Sequence, residues 1–208
     1  MLRRVLCFPR TKLKNTIYTP VIFSLCFSLV ANSQNISETY YGPVGIGSSV
    51  AISGNGATAA YASTIYATSN TVSVLNKSSS GWTKTDITNT PFKASSISIS
   101  DTGNIIAVGS RETGSSWDLY YGTLARIGEV HLFSNNNGVV NLTSTINGIQ
   151  EYANFGRSIA LNAAGNILAV GAPDFATSGT YTPYSASLGN YAGSVSIYER
   201  IGNQWQKK

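Results

Sequence analysis

Three stretches of this chain align without gaps, and that internal repeat limits the possible folds more than any other feature. Residues 49–63 read SVAISGNGATAAYAS, residues 96–110 read SISISDTGNIIAVGS, and residues 158–172 read SIALNAAGNILAVGA. Gly56, Gly103 and Gly165 coincide, as do Val50, Ile97 and Ile159. The copies begin at Ser49, Ser96 and Ser158, 47 and then 62 residues apart. A connection of variable length leads from each copy to a second recurring unit: TVSVL from Thr71, EVHLF from Glu129 and SVSIY from Ser194. A polar turn comes next, and then Trp82, Val139 or Trp205 opens a further segment.

One unit has a consistent physical reading. Segments such as SISIS alternate apolar and polar residues, the pattern of a half-buried strand. Asp101-Thr102-Gly103 and Ala163-Ala164-Gly165 are turns in which glycine is free to take positive φ. IIAVG and ILAVGA are short continuous apolar runs, expected of strands buried on both faces. VSVL, VHLF and VSIY supply a third strand, and GWTKT or NQWQK a fourth. Four strands in about 50 residues is the arithmetic of a propeller blade. The expected fold is therefore all-β, with about three four-stranded β-propeller-like blades in a partial or open propeller, over residues 40–90, 91–145 and 146–208. Propellers close with about 4–8 blades, so self-association or further blades are expected to complete the ring.

Composition agrees and narrows the partners. The chain is 42% apolar and only 11% charged, which excludes a charge-rich helical bundle or a disordered polymer. Its net charge of +5 is local: Arg3, Arg4, Arg10, Lys12 and Lys14 lie in residues 1–33, which hold no acid. Of 14 basic residues 9 remain beyond that point, against all 9 acids, so no basic surface for nucleic acid is expected on the folded part. Basic residues, then the apolar run IYTPVIFSLCFSLV and Ala31-Asn32-Ser33, read as a secretory signal peptide over residues 1–33, with the mature chain starting near Gln34. An uncleaved N-terminal membrane anchor and an organellar transit peptide are the alternatives. Secretion is the expected localisation. Cys7 and Cys26 both fall in that segment, leaving residues 34–208 without a disulfide, a thiol nucleophile or a cysteine metal site. Asn35, Asn76 and Asn141 head N-x-S/T sequons, candidate glycosylation sites in a host that glycosylates.

These residues resemble the FG-GAP repeats of integrin-α-like β-propellers, and look most like the secreted microbial and protist versions. Phe155-Gly156 stands as the FG pair and Gly171-Ala172-Pro173 as the GAP, with SVSIY and Trp205 completing the blade. The second copy keeps Val108-Gly109 but has Ser110 for Ala and Lys93-Ala94 in place of FG. The first keeps Tyr41-Gly42 upstream and has lost the GAP. Integrin-like blades often carry a calcium loop between their first two strands. The turns at Gly54, Asp101 and Ala163 are too short for one and hold a single carboxylate in total, so no metal is expected there.

No catalytic set stands out. His131, the single histidine, sits in a strand with no Ser or Cys motif beside it. Ser100-Asp101-Thr102-Gly103 has part of the Asp box of sialidase propellers but lacks the Ser two residues before the Asp and the closing aromatic. Glu112, Asp118, Glu151 and Asp174 are the carboxylates a glycan-processing enzyme would draw on, a minor alternative. No cofactor loop is present. The aromatic-rich connections are more informative: residues 110–127 hold Arg111, Trp117, Tyr120 and Tyr121, and residues 173–193 hold Tyr181, Tyr184 and Tyr191. By resemblance these loops lie on the ligand-bearing face of integrin-like propellers. Arg, Trp and Tyr anchor protein interfaces, and aromatic rings stack on sugars. The expected role is a secreted, non-catalytic binding or adhesion module for a protein or glycan. The alternatives are a structural part of a larger scaffold with no site of its own, and a glycan-processing enzyme.

Overall fold

Each repeat folds into one four-stranded antiparallel meander in a computed structural model, which describes residues 46–63, 71–87, 93–111, 127–177 and 192–208. The chain divides into two compact units, Met1–Tyr40 and Tyr41–Lys208, and all described residues belong to the second. Blade 1 comprises β1 (Ile46–Ile52), β2 (Thr58–Ser63), β3 (Thr71–Ser78) and β4 (Gly81–Ile87). Blade 2 comprises β5 (Ser96–Ile99), β6 (Ile105–Ser110), β7 (Glu129–Asn136) and β8 (Val139–Asn147). Blade 3 comprises β9 (Ser158–Leu161), β10 (Ile167–Ala172), β11 (Ser194–Ile201) and β12 (Gln204–Lys207). Within every sheet the strand order follows the chain. The described residues form an all-β array of three propeller-like blades, as the repeat requires.

The turn after each first strand is locked by a side chain at one repeat position. Ser53 and Ser100 accept the Thr58 and Ile105 N–H groups at 2.9 and 3.1 Å, and Asn162 accepts that of Ile167 at 2.9 Å. Glycine supplies the left-handed residue, with Gly103 at φ 76° and Gly165 at φ 69°. Between β7 and β8, Asn137 (φ 50°) and Gly138 (φ 94°) form a two-residue hairpin turn whose positive φ values match the strand twist. The third strands run three residues beyond the apolar segments that mark them, because polar Asn76, Asn135 and their neighbours continue the ladder toward the hairpin. Strand β8 ends at Asn147, two residues past the expected blade boundary.

Apolar residues alternate between two inter-blade cores. Ala60, Ala62, Val72 and Val74 of blade 1 pack with Ile97, Ile106, Val108 and Phe133 of blade 2. Ala107, Val130 and Leu132, on the other face of blade 2, pack with Leu168, Val170 and Tyr198 of blade 3. In the second core Phe155 and Tyr198 meet edge to face, with centroids 6.4 Å apart and planes at 81°. Strand β6 is buried at all six positions, the expected two-faced burial. Strand β10 departs from that expectation: Leu168, Val170 and Ala172 are buried, but Ile167 is exposed. Its sequence suits a central strand, yet among the described residues no fourth blade covers its far side.

Backbone contacts fix the stacking. The Asn55 N–H donates to the Asp101 carbonyl at 3.0 Å, and the Asp101 N–H to the Ala163 carbonyl at 2.9 Å, so successive first turns are chained together. At the opposite edge the Gly156 carbonyl accepts the Ser95 and Ser96 hydroxyls at 3.2 and 2.8 Å. A Cβ on Gly109 would collide with that same carbonyl.

Candidate functional site

The long connections start and finish where the second and third strands of a blade end, at the paired residues Ser110 and Glu129 in blade 2 and Ala172 and Ser194 in blade 3. Both meet one short connector, residues 148–157, which carries the chain from blade 2 to blade 3. Gly128, at the end of the first connection, bridges to Phe155 in parallel register, and its carbonyl accepts the Gly148 N–H at 2.9 Å. A Cβ on Gly128 would collide with the Phe155 backbone, so glycine is required there. The root of the second connection is held by side chains. Gln150 grips Ala176 with two hydrogen bonds, accepting its N–H at 2.7 Å and donating to its carbonyl at 3.1 Å. Asn154 donates to the Asp174 carboxylate, and the Asp174 N–H donates to the Ala153 carbonyl at 3.2 Å. The Gly193 N–H then returns to the Phe175 carbonyl at 3.0 Å.

This connector is strained. Tyr152 and Asn154 have φ 60° and 55°, values that asparagine tolerates and a bulky aromatic residue rarely adopts. Such outliers persist where surrounding contacts over-determine the backbone, often at functional positions. Here the determinants are the Gln150 and Asp174 clamps on either side. The edge is therefore a base of hydrogen-bonded backbone at which both connections begin and end.

Of the candidate ligand-binding residues, Arg111 is described and lies exposed at the start of the first connection. Trp117, Tyr120, Tyr121, Tyr181, Tyr184 and Tyr191 fall outside the described residues. Asn35 does as well. Asn141 is exposed on β8. Asn76 is half-buried on β3, its amide nitrogen enclosed and its oxygen accepting from Thr58 at 3.2 Å and from Asn135 at 2.8 Å.

His131 is buried on β7 with Nε2 3.0 Å from Glu129 Oε1 and Nδ1 3.2 Å from Thr145 Oγ1. Sequence reading placed the histidine on a strand face but missed its partners. The i, i+2 spacing of Glu129 and His131 was the available signal, since it puts both on one face; Thr145 comes from the neighbouring strand. Asp174, considered as a carboxylate for glycan chemistry, serves in the loop clamp, and Glu151 is exposed on the connector. Among the described residues no group of three or more His, Cys, Asp or Glu side chains could hold a metal ion. A cleft of about 230 Å³ opens at the opposite, turn-bearing edge, lined by Ile105, Leu132, Thr143, Arg200, Asn203 and Trp205. It lies between blades 2 and 3, away from the loop roots. Burial raises the pKa of the Tyr198 phenol, an effect the Ser196 hydroxyl partly offsets. The Asp86 carboxylate raises that of Lys84 on the outer strand of blade 1.

Neither a protein-family model nor a curated protein matches the sequence. Solved structures do. The tricorn protease is similar over 79% of this chain and 15% of its own, at 15% identity and a TM-score of 0.50. The β-propeller domain of the Trilobed protease from Pyrococcus furiosus is similar over 76% of this chain and 55% of its own, at 15% identity and TM-score 0.38. TolB from Acinetobacter baumannii is similar over 76% and 31%, at 11% identity and TM-score 0.43. The chain thus spans well under two thirds of these structures. At 15% identity the likeness to the tricorn protease concerns the fold alone.

Proposed function

We propose that the chain is a secreted, non-catalytic β-propeller module of the FG-GAP type that recognises a protein or glycan, as in adhesion, through its long inter-strand loops. The observation that carries this reading is the shared base: two aromatic-rich connections leave adjacent blades and root on one hydrogen-bonded connector. Rigid elements that present variable loops are the usual way a repeat scaffold builds a binding face. The FG-GAP assignment draws support from the meeting of its two motifs, since the Gly156 N–H donates to the Gly171 carbonyl at 3.1 Å. Rings such as Trp117 and Tyr184 supply anchoring area at low entropic cost.

A glycan array and a cell-surface binding screen test the proposal, with Trp117→Ala and Tyr184→Ala as paired variants. Loss of captured ligand by at least tenfold in either variant, with circular dichroism unchanged, is the expected result. Ligand binding that survives both changes sinks the loop assignment. A second reading, a purely structural role in a larger propeller, is favoured by one specific observation: apolar faces stand open on blades 1 and 3. Binding to nothing on either screen, with the fold intact, supports that reading instead.

A further inference from the structure

The two open faces are of opposite kinds, and that asymmetry identifies what covers them. At each internal interface the earlier blade presents aliphatic residues from its second and third strands: Ala60, Ala62, Val72 and Val74 from blade 1, then Ala107, Val130 and Leu132 from blade 2. The later blade receives them with bulkier groups, Ile97, Ile106 and Phe133 in blade 2 and Ile159, Leu168 and Tyr198 in blade 3. Blade 3 leaves a presenting face uncovered, with Ala169, Gly171, Val195 (71% exposed) and Ile197 at the matching positions. Blade 1 exposes the first strand of its receiving face, with Val50 (68% exposed) and Ile52 where blade 2 has Ile97 and Ile99, while Leu75, at the position of Phe133, is buried.

The glycines repeat the same relation. A Cβ on Gly103 would strike Thr58 of the preceding blade, and one on Gly165 would lie 2.9 Å from Ser100 and 3.1 Å from Ile105. Gly56 holds the same turn position at φ 65° but has nothing within 4 Å. Its counterpart contact on the open face of blade 3 is Ile167, at the position of Thr58 and Ile105 and 40% exposed. Likewise Gly156 (φ 82°) abuts Gly109, whereas its equivalent Gly47 (φ 80°) stands in open space and Gly171 holds the position of Gly109. Each half of a third interface is therefore present, at opposite ends of the array.

We propose that a second copy of this chain docks head to tail, blade 3 of one copy presenting Ala169, Val195 and Ile197 to Val50 and Ile52 on blade 1 of the other. The contact continues an interface the fold already makes twice. It is heterologous, because a presenting face meets a receiving face. Two copies contribute six of the described blades, inside the range in which propellers close, and the pair then forms a two-fold ring with the contact made twice. The inference is independent of any ligand held by the loops.

Sedimentation velocity and light scattering of the full chain test it. The expected mass is about 44 kDa, twice the 22.0 kDa of one chain. Val50→Glu alone and Val195→Glu alone are each expected to fall to 22.0 kDa, since either change spoils both contacts of the ring. Mixing the two variants restores the pair, because one contact is then built from two unaltered faces. Unfolded variants could not pair on mixing, so recovery also reports their folding, and Ile52→Glu serves as a second blade 1 variant. A wild-type chain of single mass overturns the proposal. So does a larger mass that neither variant changes, or a mixture that stays monomeric while each variant remains folded.

Discussion

The middle blade and its neighbours carry one sequence pattern and three different environments. Ile97 in β5 is 8% exposed, whereas Val50, at the same repeat position in β1, is 68% exposed. Val130 in β7 is fully buried, whereas Val195 in β11 is 71% exposed. Side-chain chemistry is conserved across each pair while burial differs by more than half of the side chain's surface. The apolar pattern of a blade therefore specifies two faces that must both be covered, and only the stacking decides which of them is.

That difference can be broken most sharply by truncation. Leu132→Ala removes a side chain enclosed between blades 2 and 3 and is expected to cost about 2–5 kcal/mol in a urea unfolding titration. Its blade 3 equivalent, Ile197→Ala, is expected to cost less than about 1 kcal/mol when measured on the single chain, because half-exposed surface is already wet. Equal losses would contradict the assignment of an open face. Glycine substitution is the next largest effect. Gly109→Ala places a methyl group against the Gly156 carbonyl, a backbone atom that cannot swing aside, and is expected to lose about 1–3 kcal/mol. Gly47→Ala meets no atom and is expected to lose only the cost of its left-handed φ, about 1 kcal/mol. A reversed order would mean that blades 2 and 3 do not approach as described.

The smallest effect concerns pH. Burial raises the Tyr198 pKa in the folded state, so the protonated phenol is favoured there relative to the unfolded chain. This contribution is fully present below about pH 10, the ordinary tyrosine value, and is lost as pH rises through the folded pKa. Tyr198→Phe should accordingly flatten the decline of stability above about pH 10, read from melting temperatures across an alkaline series. An unchanged decline would assign it to other groups.

Much of the blade was legible before any coordinates. Alternation in SISIS, the glycine turns and the continuous run IIAVG placed β5, β6 and the turn between them, because these signals are local. Hairpin chemistry at Asn137-Gly138 is local too. Contacts between distant residues were not legible. Nothing near Asn76 shows that it hydrogen-bonds to Asn135, 59 residues later. The grip of Gln150 on Ala176 depends on a crossover between blades, which spacing cannot reveal. The same limit hid the open faces, since Val50 and Ile97 look alike in sequence.

Amide hydrogen exchange on the double variant Val50→Glu, Val195→Glu tests the central claim most directly, because it reads each blade in a chain held single by charge on both end faces. Both substitutions fall on exposed side chains, where changes are normally tolerated. The account predicts the slowest exchange in β6 and β7, covered on both sides, with β10 and β11, exposed at Ile167, Val195 and Ile197, opening at lower free energy. Exchange in β6 and β7 as fast as in β10 and β11 would contradict a middle blade enclosed between two neighbours.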